Sequence, residues 1–343
     1  MRGFSFIVRK YCFLWSIMIS ILILIYLLIL WFSSCASQSK KNNNTNSDIY
    51  SYFKVKSSNV DRIPTTLPTH GILLVIRTSN YTQRSRMPVI LKTWFQFSPD
   101  TTYITTNGDA KYFHQFLSKQ YHDHLHSTKC KQAHVIRALC CHSASEFQIY
   151  FENKNKYRWL CRFDDDQYVN VPLLIHYLKQ FSPDTQPLYI GKPSMQEPKH
   201  GHGIDFWFAT YGGGVCFSRS LLEMIHNDVQ PNENFMKGCI STNYPDDTHI
   251  AYILRVKYNI NLTVANDFHH HIERNLFTNL TSPSNIDQAI TLGFKGSNVP
   301  RFVPLVKNDV FHMQTLHCLL YPDVNCTRLL RILINKFYED NKS

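Results

Sequence analysis

The sequence predicts an α/β domain on a mainly parallel sheet, held behind an N-terminal membrane anchor. Three observations lead there. Residues 72–76, "ILLVI", form a continuous apolar run, the mark of a strand covered on both faces. Short strand-like runs then alternate with helical patterns along the chain, the arrangement that produces a parallel sheet with crossover helices. Residues 11–32 contain no charge, and these 22 residues are long enough for the roughly 20 that a helix needs to cross a bilayer.

The anchor is the first element. Tyr11, Trp15, Trp31 and Phe32 lie near its ends, where aromatic rings favour the interface. Arg2, Arg9 and Lys10 precede it, so the positive-inside bias leaves residues 1–10 as a cytoplasmic tail and sends the rest across the membrane. A cleaved signal peptide, with "SSCAS" as its cleavage site, is the rival reading, but its apolar region would typically be shorter, about 7–15 residues. Residues 33–69 are polar and unpatterned, and read as a stalk. The folded domain then occupies 70–343.

Within it, "MPVILKTWFQF" has helical spacing and "DTTYITTNGD" reads as a strand ending in a turn. "YRWLCRF" is a strand that runs into Asp164, Asp165 and Asp166. "NVPLLIHYLKQF" is a helix with proline in its first turn. "PLYIG", "GGVCFS" and "INLTVAN" are further strands. In "DDTHIAYILRVKY", Ile250, Ile253, Leu254 and Tyr258 share one helical face. The C-terminal "TRLLRILINKFYEDNKS" is an amphipathic helix.

Composition narrows the function. The 343 residues carry a formal net charge of +11, which suits an anionic partner. No nucleic-acid motif is present and no basic run exceeds two residues, so a phosphate-bearing small molecule fits as well as nucleic acid does. Of ten cysteines, Cys12 lies in the anchor and Cys35 just beyond it. The remaining eight form an even set suited to an oxidising lumen, but eight cysteines allow 105 pairings and spacing alone assigns none. Sequons include those that begin at Asn43, Asn80, Asn261, Asn279 and Asn325.

Four stretches can carry chemistry. Asp164, Asp165 and Asp166 follow a strand, and ligands of open α/β sheets bind beyond the strands' carboxyl ends. Carboxylates there can hold Mg²⁺ or Mn²⁺ against a diphosphate; taken alone, they read more simply as an acidic surface turn. Asp246 and Asp247 open a helix, where acidic residues are favoured by the dipole without any catalytic duty. In "DFHHHIE", alternation puts His269 and His271 on one face, and imidazole complements carboxylate in binding Mn²⁺. Gly212, Gly213 and Gly214 precede a strand without the spacing of a dinucleotide fingerprint or a P-loop.

The order of these pieces is more specific than any one of them. "LLVIRTSNYTQRSRMPVILKTW", "TTNGD", "CCHSASEF", "RWLCRFDDDQYVNVPLLIHYL", "YIGKPS", "WFATYGGGVCFSRSLLEMI", "YPDDTHIAYI", "FHHHIE" and "TLHCLLYPDVNC" together resemble the Fringe glycosyltransferases of the β3-glycosyltransferase superfamily. The resemblance runs from Ile72 to Cys326. It implies a GT-A fold with a Rossmann-like nucleotide-binding half, in a type II Golgi membrane protein with a luminal catalytic domain. It implies transfer of N-acetylglucosamine from UDP-GlcNAc in β1,3 linkage to O-linked fucose on EGF-like repeats of Notch-type glycoproteins. Carried over by position, Asp166 and His271 would bind Mn²⁺ or another divalent cation, Asp165 the nucleotide sugar, and Asp247 would be the catalytic base. Thr78 and Arg84 match the first nucleotide-contacting segment. The resemblance further implies disulfides Cys161–Cys216 and Cys318–Cys326, with Cys130 joined to Cys141 or to Cys140. Tyr211 stands where glycine is usual, which would narrow the pocket, and residues 227–243 match poorly. Two other readings stand beside this one: a β3-galactosyltransferase acting on mucin-type O-glycans, and a catalytically silent luminal chaperone or lectin on the same scaffold.

Overall fold

The structure, a computed structural model, describes residues 71–130, 135–273, 283–295, 309–321 and 326. The anchor, the stalk and the C-terminal amphipathic helix of the sequence reading lie outside those residues. Among the described residues no helix is long and apolar enough to cross a membrane.

The chain alternates strand and helix as its periodicity requires. β1 (Ile72–Thr78) leads to α1 (Gln83–Lys92), then β2 (Thr102–Thr106) and β3 (Leu125–Ser127). The long α2 (Val135–Asn153) precedes β4 (Trp159–Asp164), β5 (Gln167–Val169) and α3 (Val171–Leu178). β6 (Tyr189–Gly191) is followed by the hairpin β7 (Lys199–Gly201) and β8 (Ile204–Phe206). β9 (Val215–Ser218) opens a helical run: α4 (Arg219–Met224), α5 (His226–Val229), α6 (Asn232–Thr242) and α7 (Asp246–Tyr258). The described remainder comprises β10 (Thr263–Val264), β11 (Phe268–His269), α8 (Pro283–Gln288), β12 (Thr291–Gly293) and α9 (Met313–Leu320).

The main sheet has the order β10-β6-β9-β4-β1-β2-β3. Its β1–β2, β1–β4, β2–β3 and β6–β10 pairings are parallel. β9 runs antiparallel to both of its neighbours, so the mainly parallel sheet contains one reversed strand. β1 lies between β2 and β4 and is covered on both faces, which is why its run is apolar throughout. Leu73 and Val75 pack with Phe147 and Tyr150 of α2 and with Phe217 of β9, while Leu74 and Ile76 on the opposite face are equally buried. Each such side chain contributes about 1.5–3 kcal/mol by leaving water. α7 buries Ile250 and Leu254 in the same core.

A three-stranded sheet, β11-β12-β5, is built on the exit from β4. β12 is parallel to β11 and antiparallel to β5, so the histidine-bearing strand is brought back beside the aspartates. Among the described residues four disulfides brace the fold. Cys161–Cys216 joins directly opposed residues of β4 and β9, and Cys318–Cys326 closes a short loop. Cys130 pairs with Cys141, which leaves Cys140 to reach Cys239 and tie α2 to α6.

Candidate active site

β1 and β4 are parallel neighbours and end side by side, so their last residues share one edge of the sheet. A cavity of about 500 Å³ opens there, lined by Arg77, Thr78, Arg86, Asp164, Asp165 and Asp166 among others. This is where an open α/β sheet places its ligand.

The three aspartates have separate surroundings. Asp165 is buried; it accepts from Thr78 Oγ1 at 2.5 Å and from Arg86 Nη1 at 2.7 Å. Asp166 accepts from the same guanidinium nitrogen at 3.3 Å, while its Oδ1 is buried with no hydrogen-bond partner. Burial, then the charge of Asp164 and of Asp165, pushes the Asp166 carboxyl up to about 7 against the pull of Arg86. Asp164 points elsewhere. It accepts from Arg77 Nε at 3.1 Å and Arg162 Nη2 at 2.8 Å. Burial opposes its ionisation, but the two guanidiniums outweigh that and hold its carboxyl below the usual range. Asp164 therefore has a structural duty that its sequence position did not disclose.

Arg86, and not Arg84, is the cation among these carboxylates. Two residues on a helix lie about 200° apart, and the buried stripe Gln83, Met87 and Ile90 of α1 carries Arg86 with it. Arg84 is on the exposed side, its guanidinium 5.0 Å from the centre of the Tyr112 ring. The sequence reading placed the helical pattern from Met87 onward, after both arginines, whereas the helix begins at Gln83 and ends at Lys92.

The histidines part company. His269 Nδ1 meets Glu273 Oε2 at 3.1 Å, and Lys192 Nζ meets the other oxygen of Glu273 at 3.0 Å. His271 lies just past the end of β11, beside the glycine turn. Burial lowers the pKa of its imidazole, while the nearby Asp164 charge opposes that. The turn allows this approach: a Cβ on Gly212 would lie 2.2 Å from His271 Nδ1. Gly214 has φ +84° and a ring carbon of Phe163 2.7 Å from where its Cβ would be, so both backbone and space call for glycine. Tyr211 does not line the cavity; it is buried, with the Arg162 guanidinium 4.2 Å from its ring centre.

A carboxylate oxygen and an imidazole are a donor set that suits Mn²⁺. The orphaned, buried Asp166 Oδ1 and its raised carboxyl pKa fit a place that a cation would complete. Among the described residues no group of three or more His, Cys, Asp or Glu forms a ready-made metal cage.

Asp246 and Asp247 open α7, where the helix N-terminus favours both charges. Asp246 is buried and accepts from Arg77 Nη1 at 2.8 Å and from Ser143 Oγ at 2.6 Å. Asp247 is half-buried, and the only donors its carboxylate has from described residues are the N–H and Oγ1–H of Thr248, at 2.7 and 3.1 Å. Burial, then the Asp246 charge, pushes its carboxyl up to about 6.

A Fringe-like family profile matches residues 67–324. The Fringe glycosyltransferase of Drosophila melanogaster is 33% identical over 277 residues, which cover 76% of this chain and 64% of that protein, so the chain spans less than two thirds of this relative's length. The Beta-1,3-N-acetylglucosaminyltransferase lunatic fringe of Danio rerio is 34% identical over 268 residues, 74% of this chain and 68% of the relative. Among solved structures, the apo-form glycosyltransferase GlyE of Streptococcus pneumoniae TIGR4 covers 78% of this chain and 64% of its own at 10% identity, with a TM-score of 0.41, too low an overlap to carry an argument. With the profile spanning most of the chain, and relatives of this identity over three quarters of it, the chain belongs to the Fringe-like family of glycosyltransferases.

Proposed function

We propose that the chain is an inverting, divalent-cation-dependent enzyme with a GT-A fold. It transfers N-acetylglucosamine from UDP-GlcNAc in β1,3 linkage to O-linked fucose on EGF-like repeats of Notch-type glycoproteins. The observation that carries this reading is the partition of acids around one sheet edge. Asp165 and Asp166 face the cavity with Arg86, while Asp247 stands at a helix start tied to that edge through Asp246. In this reading the protein is a Golgi type II membrane protein, anchored by residues 11–32 with its catalytic domain in the lumen.

The chemistry follows from the residues. Asp165, Thr78 and Arg86 hold the nucleotide sugar, and Arg84 stands at the outer face of the same helix. Asp247 accepts the proton of the acceptor's 3-hydroxyl as the oxygen attacks the anomeric carbon from the face opposite UDP. Attack from that side turns the α-linked donor into a β-linked product. A carboxylate suffices as base because alkoxide character develops only in the transition state. Asp166 and His271 would hold the divalent cation, which when bound supplies positive charge to the departing diphosphate.

The test is UDP release by the full chain with UDP-GlcNAc, UDP-Gal and UDP-Glc, each with and without Mn²⁺, against an O-fucosylated EGF repeat. Turnover with UDP-GlcNAc that needs the cation is the expected result. Turnover with UDP-Gal on a mucin-type acceptor would replace this reading by the galactosyltransferase one. No turnover with any donor would leave the silent scaffold.

A further inference from the structure

The strand end that carries the donor-site residues is joined to the helix that carries the candidate base by one side chain. Arg77, the penultimate residue of β1, spans the gap. Its Nε donates to Asp164 Oδ1 at 3.1 Å and its Nη1 to Asp246 Oδ2 at 2.8 Å. Ser143 of α2 donates to the same Asp246 oxygen at 2.6 Å. Arg162 continues the chain, from Asp164 at 2.8 Å to Glu146 at 3.1 Å. Arg162, Glu146 and Asp246 are buried, with side chains 2%, 3% and 4% exposed, and Arg77 and Asp164 are partly buried at 13% and 22%. A network of this kind is a costly way to join two elements, since each ion must be desolvated and apolar packing would serve as well. Its position beside Asp247 gives it a use that packing would not.

We propose that Arg77 is a positioning residue for the transfer reaction: it ties the first turn of α7 to the donor strand and, with Ser143, compensates Asp246 so that the neighbouring Asp247 faces the acceptor as a carboxylate. This rests on the reading of Asp247 as the base. Burial opposes the ionisation of Asp247 most; among the described residues Asp246 and Thr248 of its own helix and Arg162 of β4 act on it as well, and its charge in turn reaches Tyr189 of β6. Asp246 is the one whose charge opposes ionisation most directly, and Arg77 is its counter-ion. Without Arg77, Asp246 would keep only the Ser143 donor, and its charge would act on Asp247 more strongly.

The experiment follows the Asp247 carboxyl in the full chain labelled with ¹³Cγ-aspartate, using Asp247→Asn to assign its signal, beside the pH profile of kcat. Arg77→Met is expected to raise the Asp247 titration midpoint by about half a pH unit or more. The acid limb of kcat should move with it, and KM for the donor little. Adding Asp246→Asn to Arg77→Met should bring the midpoint back to the wild-type value or below, an effect a purely structural tie would not produce. Should Arg77→Met fail to fold, Ser143→Ala removes one donor to the same oxygen while leaving Arg77 paired with both carboxylates, and a smaller upward shift is expected. An unmoved midpoint in the folded variant rejects the inference about Arg77 and leaves the base assignment standing. A midpoint that moves while the kcat limb stays rejects Asp247 as the base, and the positioning role with it.

Discussion

A Cβ placed on Gly212 would fall 2.2 Å from Nδ1 of His271, so the imidazole occupies the space that any larger residue would need. Gly212 is not among the positive-φ glycines, and alanine there meets a steric obstacle and no backbone one. Gly212→Ala is therefore expected to fold and to displace His271. If His271 is a ligand, the Mn²⁺ concentration for half-maximal activity should rise about 10–100-fold, as when metal-ligand support is lost. Unchanged Mn²⁺ dependence would remove His271 from the metal site.

Asp247 gives the pH prediction. A base must be ionised, and this carboxyl is pushed up to about 6, first by burial and then by Asp246. The value of kcat should therefore be level above about pH 6 and fall about tenfold for each pH unit below it. Asp247→Asn should lower kcat by about 10²–10⁴-fold and leave UDP affinity close to wild type. Near-wild-type transfer by that variant would reassign the base.

Arg86 neutralises Asp165 and Asp166 from one guanidinium nitrogen. Removing its charge should make the carboxylates a better home for a cation in the absence of nucleotide. Arg86→Met is expected to bind Mn²⁺ about tenfold more tightly by calorimetry, the worth of one charged hydrogen bond. The KM for the UDP-sugar should rise, because the phosphates lose a partner. Weaker Mn²⁺ binding would show that Arg86 supports the site and does not compete with the ion.

The Cys140–Cys239 bridge closes the longest of the four loops, with a sequence separation of 99. Cys239→Ser is expected to lower stability by about 2–5 kcal/mol, read from denaturant unfolding. Cys326→Ser, which opens a loop of separation 8 at the domain's margin, should cost less. The reverse order would mean that local packing and not loop length governs these bridges.

Much of the scaffold was legible because its signals are local. Ile72–Ile76 announced β1, and the apolar spacing of Ile250 and Leu254 announced α7. The long α2 was missed because its inner face is interrupted: His142, Ser143 and Glu146 are buried there, Ser143 meeting Asp246 of α7 and Glu146 meeting Arg162 of β4. The short β11 and β12 have no period to read, since pairing with each other and of β12 with β5, and not propensity, makes them strands. Alternation put His269 and His271 together, but the chain leaves the extended form at His269 and the two diverge. The clustering of the site rested on partners far away in sequence. Nothing near Asp164 says that Arg77 will meet it, and nothing near Cys140 names Cys239.

The Arg77–Asp246 contact spans 169 residues, so the two groups are made far apart in time as the chain is synthesised. When β1, α2 and β4 have left the ribosome, Arg77 has Asp164 but not yet its second anion. Until α7 has been made, the buried charges at this sheet edge lack one partner. Synthesis from the N-terminus thus does not yield a finished first half waiting for a second, because Arg77 of β1 has both its anions only once residue 246 is present.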